Sequence, residues 1–378
     1  MNRLAIAIIV VAPLISATLA AGPPAKSAKK GTKSKTAAGE SVATAETLTP
    51  RVFLIRDPFV HSDLKASTTQ KEALVGLANE VNESVWKLRD IAGDSPAGSQ
   101  EISRINALVR ERLETILSSS QRDRLGEIVL QVQGTSALGQ PELAGELAIT
   151  PAQKQEITRI SSAADSALTK IRQQAQGTKN LLELNRQAEK LQTELQRDLI
   201  AAVTPEQQQR SLALRGREFD LKKLEPLIAM APELRDIETW INSEPLTLER
   251  LRGQVVALHF WTFGCINCIH NYPSYKHWYE EFNGKGLTIV GVHTPETEGE
   301  KVVDTIRRRA RENDLLFPIA VDGQLKNWQA WSNNIWPAVY LIDKKGHVRY
   351  WWYGELNWQG AEGEAYMRSK IIELMAEK

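Results

Sequence analysis

At 378 residues the chain is too long for one ordinary core and predicts two domains plus a leader, since domains usually run to about 100–200 residues. Its 47 Lys and Arg nearly cancel 46 Asp and Glu, which leaves a formal net charge of +1 and excludes a polyanion such as nucleic acid as a partner chosen by bulk charge. Only two cysteines are present, Cys265 and Cys268, so a disulfide framework is excluded as well.

The chain opens with Met1-Asn2-Arg3, an apolar run over residues 4–15, and then small residues at Ser16, Ala17, Ala20, Ala21 and Gly22. That is the layout of a secretory signal over residues 1–22, with Thr18-x-Ala20 and Ala20-x-Gly22 as two candidate cleavage sites. It predicts a periplasmic or otherwise extracytoplasmic protein. An uncleaved membrane tether is the alternative, although the run is shorter than the ~20 residues of a spanning helix and contains Pro13. No cysteine follows closely, which excludes a lipoprotein anchor. Residues 23–50 are Ala, Lys, Thr, Ser, Gly and Pro with almost no large apolar side chain, and they read as a disordered basic linker. Its lysines serve either as a solvated spacer or as contacts to acidic lipid or wall polymer.

Residues 51–224 change to a helical pattern with sparse aromatics. Four positions carry a Ser or Thr followed three residues later by Gln: Ser67 and Gln70, Ser118 and Gln121, Thr150 and Gln153, Thr204 and Gln207. Each predicts a capping box at a helix start, and Pro151 and Pro205 follow at the first helical position, where a missing N–H costs nothing. Pro58, Leu64 and Ser67 recur 83 residues later as Pro141, Leu147 and Thr150, and Ser118 recurs 86 residues later as Thr204. This predicts an internally duplicated, all-α domain. The Thr-Pro-x-Gln elements resemble the LTxxQ motif of the Spy and CpxP family of periplasmic helical chaperones. The resemblance implies a chaperone-like clamp; the alternative is a structural or docking module.

Nine of the ten tryptophans lie beyond residue 225, which places a domain boundary there. Residues 255–262 are β-rich and run directly into Phe263-Gly264-Cys265-Ile266-Asn267-Cys268, and residues 269–282 look helical. A strand that ends in Cys-x-x-Cys before a helix puts Cys265 at a helix N-terminus, where free N–H groups and the helix dipole stabilise a thiolate. In an exported chain such a pair reads as redox chemistry, because a loop this short constrains the unfolded chain little. The remaining elements are expected as strand 287–293, helix 300–312, strand 317–321, helix 325–332, strands 338–342 and 348–353, and helix 362–376. The alternation predicts an α/β, helix-flanked sheet over residues 225–378.

Three stretches carry a specific resemblance: residues 261–268, Gly291-Val292-His293-Thr294-Pro295-Glu296, and Trp336-Pro337-Ala338-Val339-Tyr340-Leu341-Ile342-Asp343. They resemble the TlpA, ResA and DipZ group of extracytoplasmic thioredoxin-like proteins, most of all the DipZ C-terminal domain. The resemblance implies a thioredoxin fold, a thiol-disulfide oxidoreductase and a cis peptide bond at Pro337, against a trans loop proline as the alternative. It further implies that Trp336, Ile266 and Asn267 meet the substrate and that Pro273 kinks the helix. His259 stands six residues before Cys265, where thioredoxins carry a buried acid; it is either a proton relay for Cys268 or a core histidine satisfied by a backbone carbonyl. Asn271 replaces a Glu found in ResA-like proteins, so that tuning does not carry over.

By dithiol exchange, Cys265 would attack a protein disulfide and Cys268 would resolve the intermediate. With no basic residue between them, the pair reads as a reductase or isomerase. No cofactor is expected beyond the Cys265–Cys268 disulfide, and the resemblance suggests a CcdA-like membrane electron donor. Two rivals remain: copper or zinc held by Cys265 and Cys268 with His270, His277 or His293, and a holdase in which the helices grip clients. Covalent haem attachment is excluded, because Ile269 follows Cys268.

Overall fold

The computed structural model describes residues 47–90, 95–175 and 181–377. The expected signal segment and most of the expected basic linker lie outside them. The described chain divides into two units, with the boundary after Ile228.

The first unit is helical. Its elements are α1 (Arg51–Leu54), α2 (Pro58–Asp63), α3 (Thr68–Lys87), α4 (Pro96–Ile116), α5 (Ser119–Gln133), α6 (Pro141–Glu146), α7 (Pro151–Ala175), α8 (Leu181–Ala201) and α9 (Pro205–Ala213). All four capping boxes form at the starts of α3, α5, α7 and α9. At α3, for example, Gln70 N donates to Ser67 Oγ at 3.2 Å while Ser67 N donates to Gln70 Oε1 at 3.0 Å. The boxes at Ser118, Thr150 and Thr204 have matching geometry.

The cap glutamines also pair with each other, which local spacing does not reveal. Gln70 Nε2 donates to Gln121 Oε1 at 2.8 Å and Gln121 Nε2 returns to Gln70 Oε1 at 3.1 Å. Gln153 and Gln207 form the same reciprocal amide pair at 2.7 and 3.2 Å. In each set the second glutamine also closes the preceding turn: Gln121 donates to Leu64 O and Gln207 to Leu147 O, both at 3.1 Å. Those turns carry left-handed residues at equivalent places, Lys65 (φ 51°) and Ala148 (φ 49°). Around these clasps, Leu74, Leu77 and Val81 of α3 are buried, as are Ile105 and Val109 of α4, while Leu143, Leu147, Ile157, Ile160, Leu199 and Val203 form a second cluster.

Each clasp therefore satisfies helix-end groups from two helices at once. Gln121→Ala and Gln207→Ala are each expected to destabilise the helical unit by about 1–3 kcal/mol, the worth of a cap plus hydrogen bonds left unmade. Urea unfolding followed by far-UV circular dichroism checks this, and midpoints unchanged from the parent would refute it.

In chain order the second unit contains β1 (Thr239–Ile241), β2 (Val255–Trp261), α10 (Ile266–Phe282), β3 (Leu287–His293), α11 (Val303–Glu312), β4 (Ile319–Val321), α12 (Lys326–Ala330), β5 (Ala338–Ile342), β6 (Val348–Tyr353) and α13 (Gly363–Ala376). Its strands form one six-stranded sheet of order β1-β4-β3-β2-β5-β6. Strands β2, β3 and β4 are parallel; β1, β5 and β6 pair antiparallel with their neighbours. This is the thioredoxin-like α/β architecture. Every residue of β2 is buried, because the central strand is covered on both faces. Ala257, Trp261, Tyr275, Trp278 and Ile371 belong to one core cluster. Phe260 instead meets Trp328, Trp331 and Tyr340.

Three differences from the sequence expectation bear on the architecture. Strand β1 has no counterpart in it; at three residues the strand is too short to show a period and exists through pairing with β4. The helix expected over 300–312 is split into a 3-10 turn, Glu298–Lys301, and α11, because Val302 is extended (φ −74°, ψ 105°). The strand expected from 317 becomes regular only at Ile319, since Pro318 has no N–H to give to a ladder.

Candidate active site

Strand β2 delivers the chain to a tight turn in which Cys265 N donates to Thr262 O at 3.4 Å. Cys265 is the N-cap of α10, with extended backbone (φ −83°, ψ 111°), and its Sγ accepts from Cys268 N at 3.3 Å. The helix starts three residues earlier than its apolar pattern suggests, because the sulfur does the work that a Ser or Asp side chain does at an ordinary cap. Both cysteines are free thiols; Cys265 is half-buried and Cys268 is buried.

This asymmetry divides their chemistry. Cys265 is lowered to about 7, first by the hydrogen bond from the Cys268 thiol and then by the backbone N–H groups of Cys268 and Asn267, against burial and the charge of Glu296. Cys268 is pushed far up, mainly by burial and then by its bond to Cys265. At neutral pH one sulfur is substantially thiolate and reachable, while the other holds its proton out of solvent.

Pro337 follows a cis peptide bond to Trp336 and is buried. Its carbonyl accepts from Gly354 N at 2.7 Å. The Trp336 ring stacks on Trp328 at 3.9 Å between centroids, and its Nε1 donates to Thr294 O at 3.2 Å. Trp336, Phe263 and Cys265 all pack against the core cluster that contains Cys268. Ile266 is 59% exposed and Asn267 is also exposed, so an apolar and a polar side chain flank the reachable sulfur.

Asn271 ties α10 to the segment after β6. Its Nδ2 donates to Gly354 O at 3.1 Å and its Oδ1 accepts from Leu356 N at 2.9 Å. Gly354 thus bonds both the Pro337 carbonyl and the cysteine helix, and Asn271 fixes their spacing.

His259 is fully buried, and burial holds its imidazole down at about 3. It stacks on Tyr275 at 4.1 Å and meets Phe317 edge-on at 5.1 Å. Among the described residues neither ring nitrogen has a hydrogen-bond partner, so no backbone carbonyl satisfies it. Gly291 sits beside it in register, where an added Cβ would lie 2.8 Å from Trp261 Nε1 and 3.0 Å from His259 Nε2.

The three histidines of the metal alternative have separate partners. His270 Nδ1 lies 3.1 Å from Glu355, His277 Nε2 lies 3.4 Å from Glu281, and His293 Nε2 lies 3.3 Å from Thr262 Oγ1. Among the described residues no group of three or more His, Cys, Asp or Glu is arranged to hold a metal.

One residue at this site is absent from the sequence expectation. Glu300 is 6% exposed, and its Oε1 accepts from Gly264 N, directly before Cys265, at 3.1 Å. It does carry a local signal: Thr297-x-x-Glu300 is the same capping-box pattern that marks the helical half.

The AhpC/TSA family model matches residues 230–351. Protein DipZ of Mycobacterium tuberculosis (strain CDC 1551 / Oshkosh) is 41% identical over 128 residues, which is 33% of this chain but only 18% of that protein's length. A solved thioredoxin-like protein in its oxidized form is 28% identical and covers 41% of this chain and 99% of its own, with a TM-score of 0.36. The thiol-disulfide oxidoreductase YkuV of Bacillus subtilis (strain 168) is 30% identical over 147 residues, 39% of this chain and 94% of that protein. Through its second unit, the chain belongs to the thioredoxin-fold thiol-disulfide oxidoreductases.

Proposed function

We propose that this protein is an exported thiol-disulfide oxidoreductase that reduces or isomerises disulfides of protein substrates. The observation that carries the reading is the pairing of a half-buried, acidified Cys265 at a helix N-cap with a buried, protonated Cys268. The Cys265 thiolate attacks one sulfur of a substrate disulfide; that bond breaks, a mixed disulfide forms, and the first substrate sulfur leaves and takes up a proton. Cys268 then loses its proton and attacks Cys265. The Cys265–Cys268 bond forms, the second substrate sulfur leaves protonated, and two electrons have passed to the substrate. Trp336, Ile266 and Asn267 frame the substrate, and Pro337 sets the backbone beside it.

Of the two roles open to His259, the neutral core residue is the better supported, since burial disfavours the imidazolium a relay must form. The reducing direction is supported by the absence of a basic residue between the cysteines and by the charge of Glu296, which opposes the thiolate. Export is supported by the signal layout of residues 1–22, and an oxidising compartment then calls for an electron donor, for which a CcdA-like membrane protein is proposed. No helix among the described residues is long and apolar enough to cross a membrane. The helical unit is proposed as a duplicated LTxxQ-like module that binds partners, on the strength of its two matched glutamine clasps.

Equilibration of the purified protein in glutathione buffers tests the reading. A reversible two-electron couple near thioredoxin's, about −270 mV, is expected; a value near about −120 mV would reverse the direction, and no reversible bridge would end the oxidoreductase reading.

A further inference from the structure

We infer that Glu300 is a positioning residue for Cys265, a clamp that holds the turn before the nucleophile to the loop after β3. The inference rests on the oxidoreductase reading for its importance, but its geometry stands independently. The carboxylate uses both oxygens on backbone donors from two segments. Oε1 accepts from Gly264 N at 3.1 Å, and Oε2 accepts from Glu296 N at 2.7 Å and Thr297 N at 3.1 Å. A carboxylate is an acceptor on both atoms, so it can join two sets of N–H groups where an amide would turn a donor against one of them.

The local origin is a capping box in which Thr297 and Glu300 close the 3-10 turn Glu298–Lys301. An ordinary box of this kind is exposed. Here Val302 turns out of the helical path, and Glu300 is buried at 6% exposure. Its free oxygen then reaches across 36 residues of chain to Gly264.

Gly264 is shaped to receive it. A Cβ there would lie 2.1 Å from Glu300 Oε1, although the backbone itself does not require glycine's left-handed freedom. The carboxylate therefore occupies the place a side chain would take. Gly264 lies inside the turn in which Cys265 N bonds Thr262 O, and that turn presents Cys265 Sγ to Cys268 N. Without the clamp the turn loses its side-chain anchor at Gly264, and the sulfur loses alignment with the N–H that stabilises its thiolate. Other charged or titratable groups near this point are Glu296, exposed beside Cys265, His293, buried beside Thr262, Tyr272 of α10, which feels the charge of Cys265, and Arg309 of α11, whose guanidinium lies 6.0 Å from the Phe263 ring.

The test is the pH dependence of iodoacetamide alkylation of Cys265 in the reduced full chain, for the parent, Glu300→Ala, Gly264→Ala and the double variant, with thermal melts in parallel. Both single variants are expected to shift the alkylation midpoint upward and slow alkylation at pH 7 by about fivefold, the thiolate fraction lost when a midpoint near 7 rises by about one unit. The double variant should be no worse than either single one, because one contact is removed from two sides. A simple charge effect would move Glu300→Ala the opposite way, since removal of a negative group favours the thiolate. A midpoint that is unchanged or lowered in Glu300→Ala, whatever the melting temperature does, overturns the inference. Alkylation needs no disulfide substrate, so this outcome is read separately from any failure of the exchange cycle.

Discussion

Replacement of Cys265 by serine is expected to reduce disulfide exchange by a factor on the order of a thousand or more, since a serine hydroxyl is not ionised at neutral pH and cannot form the mixed disulfide. Cys268→Ser should behave differently. Its Cys265 remains reachable and able to attack, but nothing resolves the intermediate, so a one-to-one covalent adduct with a protein disulfide substrate should accumulate and be released by added dithiol. Insulin reduction assays give the rates, and non-reducing electrophoresis with mass measurement gives the adduct. The division follows from burial: Cys265 is half-buried, while Cys268 is wholly enclosed with its proton retained. If Cys268→Ser lost the first attack and Cys265→Ser kept it, the roles would be reversed. If the parent showed no disulfide exchange while suppression of client aggregation survived Cys265→Ser, a holdase reading centred on the helices would replace the redox one.

The second large effect is acid destabilisation of the sheet unit. Two buried imidazoles are held neutral by desolvation, His259 at about 3 and His293 at about 4, whereas an unfolded histidine titrates near 6.5. As pH falls below about 6.5, the unfolded chain binds protons that the native state refuses, so stability declines down to the folded values and is unaffected above neutrality. At pH 4.5 each group is expected to cost roughly 2–3 kcal/mol, about 5 kcal/mol together. Urea unfolding at pH 7 and pH 4.5, followed by tryptophan fluorescence, reads this unit, because nine of the ten tryptophans lie in it.

His259→Phe should recover about half of that loss at pH 4.5 and cost little at pH 7. A phenyl ring suits the neighbours Tyr275 and Phe317, and it removes two buried nitrogens that lack partners among the described residues. Equal stability at the two pH values would refute the buried-neutral assignment. A His259→Phe enzyme that attacks normally but resolves slowly would restore the proton-relay role.

Features written in adjacent residues are legible in the chain alone. The strands over 287–293, 338–342 and 348–353 fall where their β-rich runs place them, because each run is bounded by turn residues and its pattern needs no distant partner. The capping boxes are legible for the same reason, since a cap closes within four residues. Helix boundaries are less so. The apolar pattern starts α10 three residues late although the Cys-x-x-Cys spacing marks its N-terminus, and the extended Val302 breaks a run in which β-branched Val302, Val303, Thr305 and Ile306 sit between charged, helix-favouring residues.

Neighbouring residues suffice to read the succession of elements from β2 onward, the placement of two sulfurs at a helix start, and the four glutamine caps, because these rest on contacts a few residues apart. The pairing of the glutamines, the strand β1, the sealing of His259 among aromatic rings with its nitrogens unpartnered, and the reach of Glu300 to the turn ahead of Cys265 come from the folded molecule. Those facts depend on which segments the sheet and helices bring together from far along the chain, as between Gly264 and Glu300, 36 residues apart. Burial, which sets the charge state of each group, has no local signature in the chain.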